Sequence, residues 1–117
     1  MNACFEPFER RYLEALSREG VDLHTFLNGW RHSVEIDLQQ VSNAVLKRDI
    51  EGQRTSLHRL SGAVGMVGAR SLMEALNRAS TRPPESEAGA IEWLVQRART
   101  LMTQLEIEAA RHRSTVR

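Results

Sequence analysis

Apolar residues recur at intervals of three and four positions along most of this chain, and this spacing constrains its fold more than any other feature. The longest run begins at Leu23 and continues to Val45, mostly at these steps, which places its members on one face of a helix. β-branched residues form no alternating runs, and the chain has only 3 prolines. The pattern therefore predicts an all-α protein.

The same spacing predicts five helices, and residues typical of helix ends lie between them. Asp22 and Asp49 are suited to cap the second and third helices, because a carboxylate accepts hydrogen bonds from the free N–H groups of a first turn. Gly20 ends the first helix, and Gly68 suits the left-handed position just after the third. The predicted helices cover residues 5–18, 23–47, 50–66, 70–80 and about 87–111.

A loop with two adjacent prolines separates the last two helices, at residues 80–86, and Ser86 is suited to cap the last helix. Because the four longer helices each have one apolar stripe and short connections, we expect an antiparallel four-helix bundle with an additional short N-terminal helix. Another all-helical topology is the alternative. Phe5 and Ile50 are expected on core-facing stripes. The chain is interpreted as one domain, residues 1–117, with a frayed tail at about 112–117.

The overall charge, the absence of an apolar span and the cysteine content indicate a cytoplasmic protein, and a monomer is the default expectation. The formal net charge is +1, which predicts no strong attraction to nucleic acid or to an anionic membrane surface. No apolar run approaches the roughly 18 residues of a membrane span, and no signal peptide is evident. Cys4 is the single cysteine, so no intramolecular disulfide can form and a reducing compartment is expected.

Residues 57–69 place three glycines around one histidine inside a helical pattern. A glycine in a helix interior costs about 1 kcal/mol relative to alanine, so this composition calls for a reason. Ser61, Gly62 and Gly65 follow His58 at three, four and seven positions, which predicts that they share its face. The apolar residues are expected on the opposite face (Leu57, Leu60, Val64). His58 is therefore predicted to project from the protein above a nearly bare surface that a bulky partner can approach closely.

Ordinary explanations compete with this interpretation, since exposed histidines are common and helical glycines often permit close helix packing. Metal binding is not indicated, because His24, His32 and His112 lack the spacing of a helical metal site. His58 has no evident partner for a hydrolytic triad, and no lysine–serine pair follows the glycines as in a phosphate-binding loop.

The residues that carry a family resemblance are His58-Arg59-Leu60-Ser61-Gly62, Gly65, Val67-Gly68 and Leu72. This pattern resembles the signature of histidine-containing phosphotransfer (HPt) domains, most closely those at the C-termini of bacterial hybrid sensor kinases. The resemblance is strongest over residues 54–76. It implies that His58 accepts a phosphoryl group from an aspartyl phosphate on a receiver domain and passes it to another receiver, in two-component signalling. It also implies that Mg²⁺ is bound by the receiver and that this chain binds no cofactor.

One departure from the family affects the predicted phosphoryl environment, which comprises Ser61, Gly62, Arg54 and Arg59. The family has a lysine three residues after the histidine, where this chain has Ser61. The resemblance implies Arg54 as the first replacement for that charge, with Arg59 and Arg82 as further options. For the glutamine that some relatives carry late in the fourth helix, the options are Ser80 and Asn77.

The resemblance further implies a surface near the histidine where a receiver docks. Gly65, Met66, Tyr12 and Phe8 are the expected docking residues, and Met66 in particular is expected to be exposed. Other residues considered for this surface are Val67, Leu72 and Met73. Because the chain starts directly with helical pattern, no ATP-dependent kinase activity of its own is expected. The alternative function is a helical adaptor that docks receiver or kinase domains without carrying phosphate.

Overall fold

A computed structural model describes residues 5–81 and 88–115, without the side chains of residues 88 and 112–115. These residues form five helices and no strand, which confirms the all-α prediction. Residues 80 and 81 of the predicted loop belong to the fourth helix; the rest of that loop, the predicted cap at Ser86 and Cys4 lie outside the described residues. The helices are α1 (Arg10–Arg18), α2 (Leu23–Leu46), α3 (Ile50–Met66), α4 (Arg70–Thr81) and α5 (Ala88–Thr115).

The helix ends confirm the local signals in the sequence. The Asp22 carboxylate accepts hydrogen bonds from the His24 N–H (3.2 Å) and the Thr25 hydroxyl (2.8 Å). Asp49 accepts one from the N–H of Gly52 at 2.9 Å. Gly20 and Gly68 both adopt positive φ, +93° and +78°, a conformation in which a Cβ is strained.

The prediction of helix for residues 5–9 was wrong, because α1 begins only at Arg10. Pro7 provides the physical reason, since a proline lacks the N–H of a helical hydrogen bond and disfavours helical geometry in the residue before it. Residues 5–9 instead form an irregular segment, and Phe5, expected on a core stripe, is 66% exposed.

Ile50 was also wrongly assigned to the core. It lies four and eight positions before Arg54 and His58, on the exposed face of α3. At the C-terminus, α5 continues to Thr115, beyond the predicted end at 111, so residues 112–115 of the predicted frayed tail are helical and residues 116–117 lie outside the described residues.

α3 packs against α2 on one flank and α4 on the other, and both of these helices also contact α5. The indole N–H of Trp30 donates to the carbonyl oxygen of Ala63 at 2.8 Å and joins α2 to α3. Each fully buried leucine contributes about 1.5–3 kcal/mol through removal of apolar surface from water. The largest fully buried side chains are Leu38, Leu57, Leu60, Leu72, Leu76, Leu101 and Leu105. No helix within residues 5–81 and 88–115 is both long and apolar enough to cross a membrane.

Two glycine-to-alanine substitutions are expected to change stability in opposite directions. At Gly68, a Cβ would be strained by the positive φ and would lie 2.5 Å from Glu9 Cβ and 2.9 Å from the Glu9 nitrogen. Gly68→Ala is therefore expected to lower the free energy of unfolding by about 1–3 kcal/mol. At Gly62 a Cβ meets nothing within 4 Å, so Gly62→Ala is expected to raise it by up to about 1 kcal/mol. Urea denaturation followed by circular dichroism measures both, and a neutral Gly68→Ala would contradict this account of the turn.

Candidate functional site

His58 lies in the middle of α3 with its side chain exposed, as predicted. Leu57, Leu60 and Val64 of the same helix are fully buried on the opposite side. The imidazole lines a shallow surface depression together with three other residues of α3 and one residue of α4. This depression, the His58 depression, is lined by Arg54, Thr55, His58, Arg59 and Ser80. The ring is therefore accessible to a partner molecule.

The two helical glycines near His58 have different surroundings. Gly62 is exposed, and a Cβ there would meet nothing within 4 Å, so the surface beside the ring is bare. A Cβ at Gly65 would lie 2.9 Å from the sulfur of Met73 on α4. Gly65, predicted as a docking residue, therefore also has an intramolecular neighbour, because the flexible side chain of Met73 occupies the space that this glycine leaves. No local pattern in the sequence indicates that Met73 of α4 lies opposite Gly65.

Ser61 does not share the exposed face, and the prediction that placed it there was wrong. It is only 3% exposed. Its hydroxyl donates to the carbonyl oxygen of His58 at 2.6 Å and lies 2.9 Å from the side-chain oxygen of Asn77 on α4. Successive residues of an α-helix are about 100° apart, so Ser61, three positions after His58, points about 60° away from it around the helix axis. This offset directs the Ser61 side chain toward α4, where it contacts Asn77. Ser61 therefore supports the backbone beneath His58 and leaves the outer side of the ring without a charged neighbour at this position.

Two arginines line the His58 depression, and they differ in how firmly they are held. Arg54 lies one turn before His58, and its contact is an exposed ion pair with Glu51 at 3.8 Å, a class of pair that contributes little. The Arg59 guanidinium donates to the Gln40 side chain of α2 at 3.1 Å. Arg54 is thus the arginine that is freer to turn toward a group on the imidazole. Arg82 lies outside the described residues.

Asp37 is a buried carboxyl on α2 that the sequence did not mark, because it lies within an otherwise apolar stripe. Burial raises the pKa of this carboxyl, and the positive charge of Arg59 acts in the opposite direction. The attraction between the Asp37 carboxylate and the Arg59 guanidinium favours a conformation in which Arg59 points toward α2. The hydrogen bond from Arg59 to Gln40 favours the same conformation.

An apolar depression lies beyond the C-terminal end of the His58 face. Met66 is 57% exposed, which confirms its predicted exposure. It lines this surface together with Tyr12 and half-buried Leu16 of α1 and half-buried Phe26 of α2, and Arg11, Arg18 and Glu19 lie around them. We refer to the surface formed by Tyr12, Leu16, Phe26 and Met66 as the apolar depression. Phe26 was missed because its spacing fits the core stripe of α2.

The remaining residues considered for docking are less accessible. Val67 and Leu72 are fully buried and are therefore core residues that a receiver cannot contact on this surface. Phe8 is half-buried and lies between two neighbours, with its ring 6.5 Å from that of Phe5 and 5.5 Å from the guanidinium carbon of Arg10. Met73 is partly buried against the core.

No group of three or more metal-binding side chains occurs in the part of the chain that the structure describes. Comparisons with protein-family models, with curated proteins and with solved structures found no match for this chain. What this surface does is therefore inferred from its own residues: an exposed imidazole, a bare helix face beside it, a weakly paired arginine and an apolar depression further along the same helix.

Proposed function

We propose that this chain is a phosphotransfer module in which His58 accepts a phosphoryl group from a receiver-domain aspartyl phosphate and passes it to another receiver. An unprotonated ring nitrogen attacks the phosphorus, the bond between phosphorus and the aspartate oxygen breaks, and the carboxylate leaves. Onward transfer reverses these steps with a second aspartate. The observation that carries the proposal is the exposed imidazole beside Gly62, where an added Cβ would meet no atom of the described residues within 4 Å.

Phosphoryl transfer to and from His58 requires little of this chain besides an accessible and correctly oriented imidazole. Phosphoryl transfer depends on in-line positioning and charge stabilisation more than on additional reacting groups. In this proposal the receiver contributes Mg²⁺ and the acidic pocket, and this chain binds no cofactor. The partners are receiver domains, and the chain acts as a cytoplasmic monomer without contact to nucleic acid or membrane.

The proposal includes an antiparallel four-helix bundle of α2–α5, with α1 as the additional short helix of one domain. Contacts support this arrangement. Trp30 of α2 bonds to Ala63 of α3, whereas Ala44, later on α2, bonds to Gln53, earlier on α3. The order of partners reverses between the two helices, as antiparallel packing requires. The ion pairs between α2 and α5 reverse in the same way (Arg31–Glu106 and Glu35–Arg99).

The apolar depression is the surface on which we expect the receiver to dock. Met66 follows His58 by eight residues, which is about 12 Å along the helix axis. That separation lies well within a typical interface of about 800 Å² per partner. Burying Tyr12 and Met66 against a receiver would supply apolar contact while Gly62 lets the receiver reach the ring.

A second candidate function is a helical adaptor that docks receiver or kinase domains without carrying phosphate. Ser61 favours it, because a neutral, buried side chain whose hydroxyl is engaged with the His58 carbonyl and Asn77 supplies no charge to the ring. The two functions share the docking surface and differ in whether His58 becomes phosphorylated.

The first prediction is that phosphate is carried by His58 alone. Receiver domains phosphorylated with acetyl phosphate are incubated with the wild type, His58→Gln and the control His32→Gln, whose histidine is exposed on α2. Label that is labile to acid and stable to base is expected on the wild type and on His32→Gln, and none on His58→Gln. Label on His58→Gln would contradict the proposal, and receiver binding without any label on the wild type would favour the adaptor.

The second prediction concerns the bare surface at Gly62. A glutamine there projects beside the imidazole and would hold a docking receiver away from it. Gly62→Gln is expected to keep the helical circular dichroism spectrum and to lower the rate of transfer from a receiver by at least about a hundredfold, as a misplacement of about 1 Å can do. Gly62→Ala is the matched control with a smaller effect. Equal transfer rates for Gly62→Gln and wild type would refute the role assigned to this glycine.

The third prediction assigns the charge near the phosphoryl group to Arg54. Arg54→Gln is expected to slow labelling of His58 by the small donor phosphoramidate about tenfold, since a hydrogen bond to a charged group contributes roughly 1.5 kcal/mol. Arg59→Gln is expected to have a smaller effect, because Arg59 is bound to Gln40. The difference between wild type and Arg54→Gln should shrink in 1 M salt, where the screening length falls to about 3 Å. A larger effect of Arg59→Gln would reverse the assignment.

A further inference from the structure

Residues 5–9, which we call the N-terminal strap, are held by an ion pair with little access to water. Glu6 is 4% exposed, although it precedes the first helix. Its carboxylate accepts two hydrogen bonds from the Arg97 guanidinium of α5, at 2.9 Å from Nε and 2.7 Å from an Nη nitrogen. Two parallel bonds of this kind fix both distance and orientation.

The backbone of the same residue is bound by a second side chain of α5. The Glu6 N–H donates to the side-chain oxygen of Gln104 at 2.6 Å, and the Gln104 side-chain amide donates to the Glu6 carbonyl oxygen at 2.8 Å. Glu6 thus makes four hydrogen bonds to α5. Both the side chain and the backbone of Glu6 are therefore tied to α5.

Arg97 is itself held in place from its other sides. Its guanidinium carbon lies 5.0 Å from the ring centroid of Trp93, and an Nη nitrogen lies 3.3 Å from the Ser71 hydroxyl of α4. The arginine is therefore oriented toward the strap by residues of α4 and α5, and little side-chain freedom is lost when Glu6 binds.

The other end of the strap is bound to the turn between α3 and α4. The Glu9 N–H donates to the Val67 carbonyl oxygen at 3.2 Å, and the absence of a side chain at Gly68 makes room for Glu9. The next residue, Arg10, bonds to Glu108 of α5 at 3.0 Å. The strap thus crosses from α5 to the C-terminal end of α3, where Met66 lies.

α1 has little anchorage of its own after the strap. It is 9 residues long, and Leu13 is its single buried residue. A helix of this length is not stable in isolation. Apart from the exposed Arg10–Glu108 pair and the packing of Leu13 and Leu16 against the core, the position of α1, and with it that of Tyr12 in the apolar depression, depends on the bonds that precede it.

We propose that the Glu6–Arg97 pair is a latch that positions α1, so that residues 5–18 open as one unit separately from α2–α5. Glu6 and Arg97 are thus positioning residues, and they act on the docking surface through α1. The consequence for docking rests on the proposed function, whereas the latch itself does not.

Hydrogen exchange followed by mass spectrometry on the full chain tests the latch. In Glu6→Gln the amides of α1 are expected to exchange at least roughly tenfold faster, equivalent to about 1.4 kcal/mol of opening free energy. The protected amides of α3 and α5 are expected to keep their rates. Arg99→Gln is the matched control, because it breaks an exposed ion pair of the same helix with Glu35 and should leave α1 unchanged.

A double-mutant cycle with Arg97→Gln shows whether the pair acts as a unit. The double variant is expected to exchange no faster in α1 than the faster single variant, because each substitution already removes the pair. Unchanged α1 exchange in both single variants would overturn the latch, and so would an equal acceleration of all five helices, which would make the strap part of one cooperative unit.

Phosphotransfer kinetics test the consequence for docking. Glu6→Gln is expected to raise the receiver concentration for half-maximal labelling of His58 at least roughly fivefold, an effect of about 1 kcal/mol, with the maximal rate and phosphoramidate labelling unchanged. An unchanged half-maximal concentration would show that α1 does not contribute to docking. If no receiver labels the wild type, the proposed function fails, and hydrogen exchange still decides on the latch.

Discussion

The packing of α3 against α4 is the interaction on which the surface around His58 depends. Two contacts define it: the bond network of Ser61 with the His58 carbonyl and Asn77, and the contact of Met73 with the space left by Gly65. Both use small residues of α3, which accommodate the side chains of Asn77 and Met73 from α4, whereas Gly62 is exposed. The same helix thus has a hydrogen bond at the backbone carbonyl of His58 and an exposed His58 side chain.

Electrostatic control at this surface is local, because the formal net charge of the chain is only +1. Steering of an acidic partner would have to come from individual arginines and not from an overall field. Arg59 is drawn toward α2 by Gln40 and buried Asp37, which leaves Arg54 as the charge with the most freedom beside His58. In the proposed phosphotransfer function, the half-exposed Arg54 guanidinium is the best available charge among the described residues, and its contribution is expected to be sensitive to salt.

The features that the sequence predicted well are those with local causes. Asp22, Asp49 and Gly68 act on groups within a few residues of themselves, and the periodicity around Leu57 and Leu60 was sufficient to place His58 outward. Ser61, in contrast, could not be placed, because its position depends on a partner 16 residues away on α4.

Longer separations gave still less signal. Glu6 and Arg97 lie 91 residues apart. Each is a charged residue of a kind that is usually found at the surface, so the sequence does not indicate that they pair. The start of α1 differs from both cases, since Pro7 provides a local reason for the extended strap.

The exposed ring of Trp93 gives the chain an internal optical reporter. Its indole lies beside the guanidinium that binds Glu6, and it is 61% exposed. The other indole, Trp30, is buried between helices and bonded to Ala63. Each tryptophan thus lies in a different environment, one at the strap and one in the core. Fluorescence from the first follows the surroundings of Arg97, and fluorescence from the second follows the integrity of the α2–α3 contact, so the unlabelled protein can report both events in one spectrum.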